Sequence, residues 1–188
     1  MSIDCVTDAE LVGRARLGDT AAFGELVDRH RSAVFRAALA ALDSRADAED
    51  AAQDAFVTAW RRLGGFRGDA SFKTWLLTIA WHEAINHRRR ATRWWRRTAD
   101  EEYDVESPSR SPEQTAADAE LDAALRAEIR ALPPKLRDAL LLAQTGEHRY
   151  EEISVMLDIP LGTVKWRVSE ARRVVKARLR ARGYSDVG

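Results

Sequence analysis

Residues 149–175 read RYEEISVMLDIPLGTVKWRVSEARRVV. Ile153, Met156 and Leu157 stand at the three- and four-residue spacing of a short amphipathic helix. Asp158-Ile159-Pro160-Leu161-Gly162 breaks it. A second helix then carries Val164, Val168, Ala171 and Val175 at steps of four, three and four. Two short helices about a tight, glycine-containing turn make a helix-turn-helix, whose second helix fits the major groove of DNA. Its apolar stripe turns inward and leaves Lys165, Trp166, Ser169, Glu170 and Arg173 outward. Gly162 and Thr163 sit at the N-terminal tip, where free backbone N–H groups favour a phosphate. On this reading Lys165, Arg167 and Arg173 contact phosphates or bases, and Glu170 suits a cytosine amino group. Trp166 faces away from the core stripe and needs another partner, a thymine methyl or a protein surface. The competing reading is a plain helical hairpin with a solvated basic face.

The rest of the chain is also helical in pattern, and the expected fold class is all-α. Pro133-Pro134 divides a helix near 118–131 from one near 134–145. Towards the N-terminus, Thr7 and Glu10 form a T-x-x-E capping box ahead of Leu11 and Val12. A second helix follows Gly18-Asp19, with Phe23, Leu26, Val27, Val34, Phe35, Ala38, Leu39 and Leu42 on one face. A third spans about 46–63, with Ala48, Ala52, Ala55, Phe56, Ala59, Trp60 and Leu63 on one side. A fourth begins near Asp69 and runs into a block of arginines.

The 188 residues are 45 % hydrophobic and 32 % charged, which fits a globular protein and excludes a disordered or collagen-like one. The formal net charge is zero, but the charges are segregated. Arg88–Arg97 holds six arginines and no acid, and Lys165–Arg182 holds eight bases and only Glu170. Between them, Asp100–Asp122 holds nine acids and only Arg110. Two basic blocks on separate helices point to a polyanion, since each can neutralise phosphates and release counterions. The acidic stretch TADEEYDVESPSRSPEQTAAD at 98–118 has too little apolar surface to offset its ordering entropy. The expected organisation is an N-terminal domain over 1–96, a flexible acidic linker over 97–117, and a C-terminal helix-turn-helix domain over 118–188.

Five of the six tryptophans lie between residues 60 and 95. Trp60 and Trp75 are expected in the core. Trp81, Trp94 and Trp95 stand beside arginines, and both core and nucleic acid are open for them. In FRGDASFKTWLLTIAWHEAINHRRR (66–90), Phe72, Trp75, Leu76 and Ile79 form an apolar face. Thr74, Thr78, His82 and Asn86 step by four along another side towards Arg89, a stripe of small hydrogen-bonding groups suited to base edges.

Two enzyme-like patterns fail. In His82-Glu83-Ala84-Ile85-Asn86-His87 the second histidine falls one residue beyond the position that would share a face with the first, so no zinc-protease helix is expected. The carboxylates Asp47, Glu49, Asp50 and Asp54 have no matching Glu-x-x-His pairs, which leaves an acidic docking face or simple solvation. No metal, cofactor or covalent chemistry is expected. The lone Cys5 can form neither an internal disulfide nor a cysteine-based zinc site. No apolar run is long enough to span a bilayer and no secretory pattern opens the chain, so a cytoplasmic protein without membrane insertion is expected.

Taken together, these residues resemble bacterial RNA polymerase sigma factors of the extracytoplasmic function (ECF) type, group 4 of the sigma-70 family. The resemblance is carried by Asp8-Ala9-Glu10-Leu11-Val12 with Gly18-Asp19 and Ala22-Phe23, by ADAEDAAQDAFVTAW at 46–60, and by FRGDASFKTWLLTIA at 66–80. It continues in LPPKLRDALLL at 132–142 and YEEISVMLDIPLGTVKWRVSEAR at 150–172. It implies a region 2 domain that binds the polymerase clamp and melts the −10 promoter element, and a region 4 domain that binds the −35 duplex and the polymerase flap. It implies that the D-x-x-Q pattern of Asp50 and Gln53 docks on the clamp, which supports the acidic docking face that also includes Asp54. It also implies that the loop Phe66–Phe72, with Gly68, Asp69 and Ser71, holds a flipped base. The following helix would read its neighbours at positions matching Thr78 and His82, to which the polar stripe and the aromatic pattern add Thr74, Trp81, Asn86 and Arg89. Thr163, Lys165, Trp166, Arg167, Ser169, Glu170 and Arg173 would read the −35 element. An anti-sigma factor is implied as a further partner. Many family members carry Asn at the position of His82, a small residue at Trp166 and a non-acidic one at Glu170, departures that bear on promoter sequence. The alternative from the residues alone is a stand-alone helix-turn-helix regulator.

Overall fold

The computed structural model describes residues 6–42, 44–95 and 116–184, with side chains for all of these except 92–95, 116 and 117. Cys5 and residues 97–115 of the expected linker lie outside the described residues. The chain divides into two compact units, Met1–Glu106 and Ser107–Gly188. Every regular element among the described residues is helical, as expected.

The first unit contains α1 (Asp8–Arg16), α2 (Thr20–Leu42), α3 (Arg45–Arg62) and α4 (Phe72–Trp95), with a 3-10 turn at Leu63–Gly65. Helix α1 starts at the expected capping box, in which the Thr7 hydroxyl accepts from Glu10 N and the Glu10 carboxylate accepts from Thr7 N. It stops at Gly18, whose φ of 94° suits glycine. There Gly18 N donates to Ala15 O and Asp19 N to Arg14 O, the paired bonds of a Schellman turn. Asp19 then opens α2 by accepting from Ala22 N at 3.0 Å.

Helices α2, α3 and α4 pack on one another, with α1 against α2. The inner face of α3 is alanine throughout: Ala48, Ala51, Ala52, Ala55 and Ala59. Side chains this small let neighbouring backbones approach closely. The larger residues come from the other helices, with Leu11, Leu26, Val34, Leu76, Leu77 and Trp81 all essentially inaccessible. Ser44 caps α3 and Ser71 caps α4, each accepting from the N–H three residues on. Helix α4 thus begins at Phe72, not near Asp69. Gly68, at φ 81°, keeps the preceding segment out of the helix.

The second unit contains α5 (Ala116–Arg130), α6 (Pro134–Gln144), α7 (Tyr150–Leu157) and α8 (Leu161–Ala181). The predicted stripe of α8 is its core face: Val164, Val168, Ala171 and Val175 are buried, and Leu179 extends it by one more turn. Ile153 and Met156 of α7 and Leu132, Leu140 and Leu142 complete the core. In the turn between α7 and α8 the left-handed residue is Asp158 (φ 51°), while Gly162 already lies inside α8. Aspartate tolerates that conformation better than most non-glycine residues. Helix α5 is joined to the end of α8 by the buried Glu128, which pairs with Arg182 at 2.8 Å and Arg178 at 3.5 Å. Tyr184 Oη donates to Glu120 at 3.1 Å beside it.

Candidate nucleic-acid interface

Between α3 and α4 the chain makes a surface loop. Its base is a cluster of rings: Phe66 lies 5.1 Å from Trp75 and 5.9 Å from Phe72, and Phe72 lies 5.8 Å from Trp75, centroid to centroid. His30 of α2 packs on Phe72 from the other side at 5.7 Å. On the outside, the Arg16 guanidinium of α1 donates from Nε to Leu63 O (3.1 Å) and from Nη2 to Gly64 O (3.0 Å) and Phe66 O. Between these anchors Arg67, Gly68 and Asp69 project into solvent, with Arg67 and Asp69 paired at 3.3 Å. That ion pair is so exposed that it contributes little.

Three of the expected −10 residues are corrected by this geometry. Trp81 is 1 % exposed and sits in the core, because α4 is covered on one side by α2 and on the other by α3. Phe72 is the centre of the ring cluster and is buried. Thr74 is buried, with its hydroxyl 2.9 Å from Ser71 Oγ. Thr78 is half-buried and donates to Thr74 O, a back-bond to its own helix. Phe66 is half-buried in the ring cluster, and Ser71 is exposed but engaged as the α4 cap. Gly68, Asp69, His82, Asn86 and Arg89 are exposed as the sequence suggested. Trp94 and Trp95 end α4, and their side chains lie outside the described ones. Within the arginine block, Arg88 donates to Ala41 O at 3.2 Å and so caps the end of α2. Trp75 is half-buried, close to its expected place.

Helix α3 presents a second surface. Asp50, Gln53 and Asp54 are exposed along one stripe, and Asp54 meets His87 Nε2 at 2.9 Å. The stripe continues at helical spacing through Val57 and Trp60, which are 42 % and 38 % exposed. Trp60, expected in the core, instead packs its ring on Phe23 at 4.9 Å with one edge in solvent. The alanine face was wide enough to close the core without it.

On α8 the outward residues are as expected. Trp166 is 61 % exposed, Lys165 and Ser169 are exposed, and Thr163 and Arg167 are half-buried. The helix begins at Leu161, after Pro160, without a side-chain cap; Thr163 N donates to Pro160 O at 2.8 Å, which leaves the Leu161 and Gly162 N–H groups facing an anion. Glu170 stands differently from the sequence reading. Both its oxygens accept from Arg173, at 2.8 and 2.7 Å. That pairing holds the Glu170 carboxyl below the usual carboxylate range and raises Arg173. Arg16, Val57 and the Glu170–Arg173 pair are the features that sequence reasoning missed. Only Glu170–Arg173, at the i,i+3 spacing, carried a local signal.

Comparison with known proteins follows the same division. Residues 26–94 match the family description Sigma-70 region 2, and residues 122–174 match Sigma-70, region 4. The RNA polymerase sigma-H factor of Pseudomonas aeruginosa is 33 % identical over 179 residues, 89 % of this chain and 91 % of that protein. The ECF RNA polymerase sigma-E factor of Escherichia coli K12 is 34 % identical over 185 residues, 90 % of this chain and 93 % of that one. Among solved structures, CnrH in complex with the cytosolic domain of CnrY is 27 % identical. It matches with a TM-score of 0.66 over 93 % of this chain and 97 % of CnrH.

Proposed function

The chain belongs to the sigma-70 family of RNA polymerase sigma factors, in its ECF branch, and on that premise we propose how its two units act. Bound to core RNA polymerase, it directs the enzyme to −35 and −10 promoter elements and promotes melting for initiation. Its group 4 placement belongs to the same proposal, supported by a region 2 unit paired with a region 4 unit.

The first unit docks on the polymerase clamp through Asp50, Gln53 and Asp54 of α3, which stand exposed in one stripe. Its loop, through Phe66, Gly68, Asp69 and Ser71, takes a base out of the −10 stack. Thr78, His82, Asn86 and Arg89 meet the neighbouring bases of the single strand. Flipping a base costs a few kcal/mol, and one stacking contact contributes roughly 1–3 kcal/mol, so a few hydrogen bonds close the difference. The second unit lays α8 in the major groove of the −35 duplex. There Lys165, Arg167 and Arg173 meet phosphates or base edges, Trp166 and Ser169 meet the groove, and Thr163 with the open N–H groups meets the backbone. Glu170 acts by aiming Arg173. The flap is the second docking point on polymerase. No covalent step belongs to the chain, because polymerase makes the phosphodiester bonds. The chain works in the cytoplasm, where its enzyme and DNA are. Among the described residues no helix is long and apolar enough to cross a membrane. A protein inhibitor of the anti-sigma kind holds the free chain, a reading supported by the related CnrH chain having been solved with a partner domain.

The observation that carries this reading is the pairing, on one chain, of a protruding loop leading into a polar helix face with a helix-turn-helix whose outer face is basic and aromatic. Run-off transcription with core polymerase, with and without the chain, tests it. A promoter-specific start that depends on the chain is expected; its absence sinks the proposal.

A further inference from the structure

Helix α3 ends at Arg62 and passes into the 3-10 turn Leu63–Gly65, from which the loop departs. Beyond that end one arginine from 47 to 50 residues away, Arg16, reaches three carbonyls of the turn and its exit together, those of Leu63, Gly64 and Phe66. A guanidinium suits this task because its donors form a rigid planar fork, and its charge also complements the negative end of α3. Leu63 O already accepts from Phe66 N, so the turn is closed twice over. Arg16 is itself held in place. Thr7 and Glu10 fix the start of α1, Asp8 pairs with Arg29 (3.2 Å) and His30 (2.7 Å) of α2, and Arg14 pairs with Asp19 at 2.7 Å. The clip thus runs from a braced helix to the residue where the loop departs. On the opposite side Phe66 is held through its ring by Trp75 and Phe72. Phe66 is therefore gripped by its carbonyl on one face and its side chain on the other, and only Arg67, Gly68 and Asp69 are left projecting.

We infer that Arg16 is a positioning residue for promoter melting: it fixes the angle at which the Phe66–Phe72 loop leaves the body of the first unit, and through that angle the placing of the flipped base. The inference rests on the assignment of this loop to the −10 element. Arg16 touches no nucleic acid in this scheme. Its loss leaves the α3 docking stripe intact and lets the loop swing about the turn.

The test uses the full chain assembled with core RNA polymerase. The probe is a duplex promoter fragment selected from a randomised library by the unsubstituted holoenzyme, with 2-aminopurine in its −10 element. A matching single-stranded −10 oligonucleotide measures capture of the melted strand. Arg16→Ala should lower the opening rate and oligonucleotide affinity tenfold or more, with affinity for core polymerase changed less than twofold. Arg16→Lys should recover only part of the loss, since one ammonium replaces two separate donor atoms, Nε on Leu63 O and Nη2 on Gly64 O and Phe66 O. Should Arg16→Ala fail to fold by circular dichroism, Arg16→Lys and Arg16→Gln carry the same comparison. If the Arg16 variants open DNA normally while Phe66→Ala does not, the clip is refuted and the loop assignment stands. If Phe66→Ala and the Arg16 variants all open DNA normally, the loop assignment falls and the clip with it. Equal losses in core affinity and in opening would make Arg16 a scaffold residue and overturn its positioning role.

Discussion

Trp81 and Trp166 are the same residue type with opposite fates. Trp81→Ala empties the centre of the first unit and should cost about 3–5 kcal/mol in a denaturant titration. Trp166→Ala removes a ring that is mostly in water and should change stability by less than about 0.5 kcal/mol while weakening duplex −35 binding. The outward place of Trp166 was legible because Val164 and Val168 bracket it on a single-sided helix. Trp81 was not, because α4 is covered on two sides and its buried arc includes Leu76, Leu77, Ile79, Ala80, Ala84 and Ile85, wider than one stripe. The Glu170–Arg173 pair makes a further residue-scale claim. Lys165→Ala should reduce the salt slope of −35 binding by about one phosphate contact. Glu170→Gln should steepen that slope by releasing Arg173 to the backbone, at some loss of sequence discrimination. An unchanged slope for Glu170→Gln would show that the Glu170 pairing does not keep Arg173 from a phosphate.

At the scale of elements, helix ends carry the readable consequences. The Glu10 carboxylate in the α1 capping box lies below the usual glutamate range, first because Thr7 N donates to it and then because the Thr7 hydroxyl does. A group depressed in the folded state stabilises above its ordinary range, and the contribution is lost as pH falls through the folded value. Thermal melts from neutral pH down past the carboxylate range should therefore show a smaller acid-induced loss in Glu10→Gln than in the parent; parallel curves would remove the cap from that balance. The turn into α8 gives a second case. Asp158→Val forces a β-branched residue into the left-handed region and should cost about 1–2 kcal/mol, whereas Asp158→Gly should be nearly neutral. Thermal unfolding of the two variants distinguishes them. Most helices were legible from apolar spacing and caps. The start of α4 was not: Asp69 looks like a cap, but the left-handed Gly68 keeps it in the loop and Ser71 takes the role.

At the scale of the whole molecule, segregated charge is the clearest sequence signal, and the structure refines what it means. The C-terminal basic run is not uniformly available to DNA, because Arg178 and Arg182 are engaged by Glu128. Glu128→Ala should destabilise the second unit by about 1.5–3 kcal/mol, the usual loss for hydrogen bonds to a charged group, while leaving the first unit's melt unchanged. Such long-range pairings had no local pattern in the sequence, since α5 and the end of α8 are some fifty residues apart. The alanine face of α3 has a consequence for how this protein tolerates variation. The α3 side of that seam is methyl groups alone, so any added bulk at Ala48, Ala51, Ala55 or Ala59 wedges the neighbouring helices apart at about 1–3 kcal/mol. Residues on the outward face, such as Glu49, Asp50, Gln53 and Val57, are exposed. A saturation library across residues 45–62 should therefore score as a wave of intolerance and permissiveness with the pitch of the helix itself.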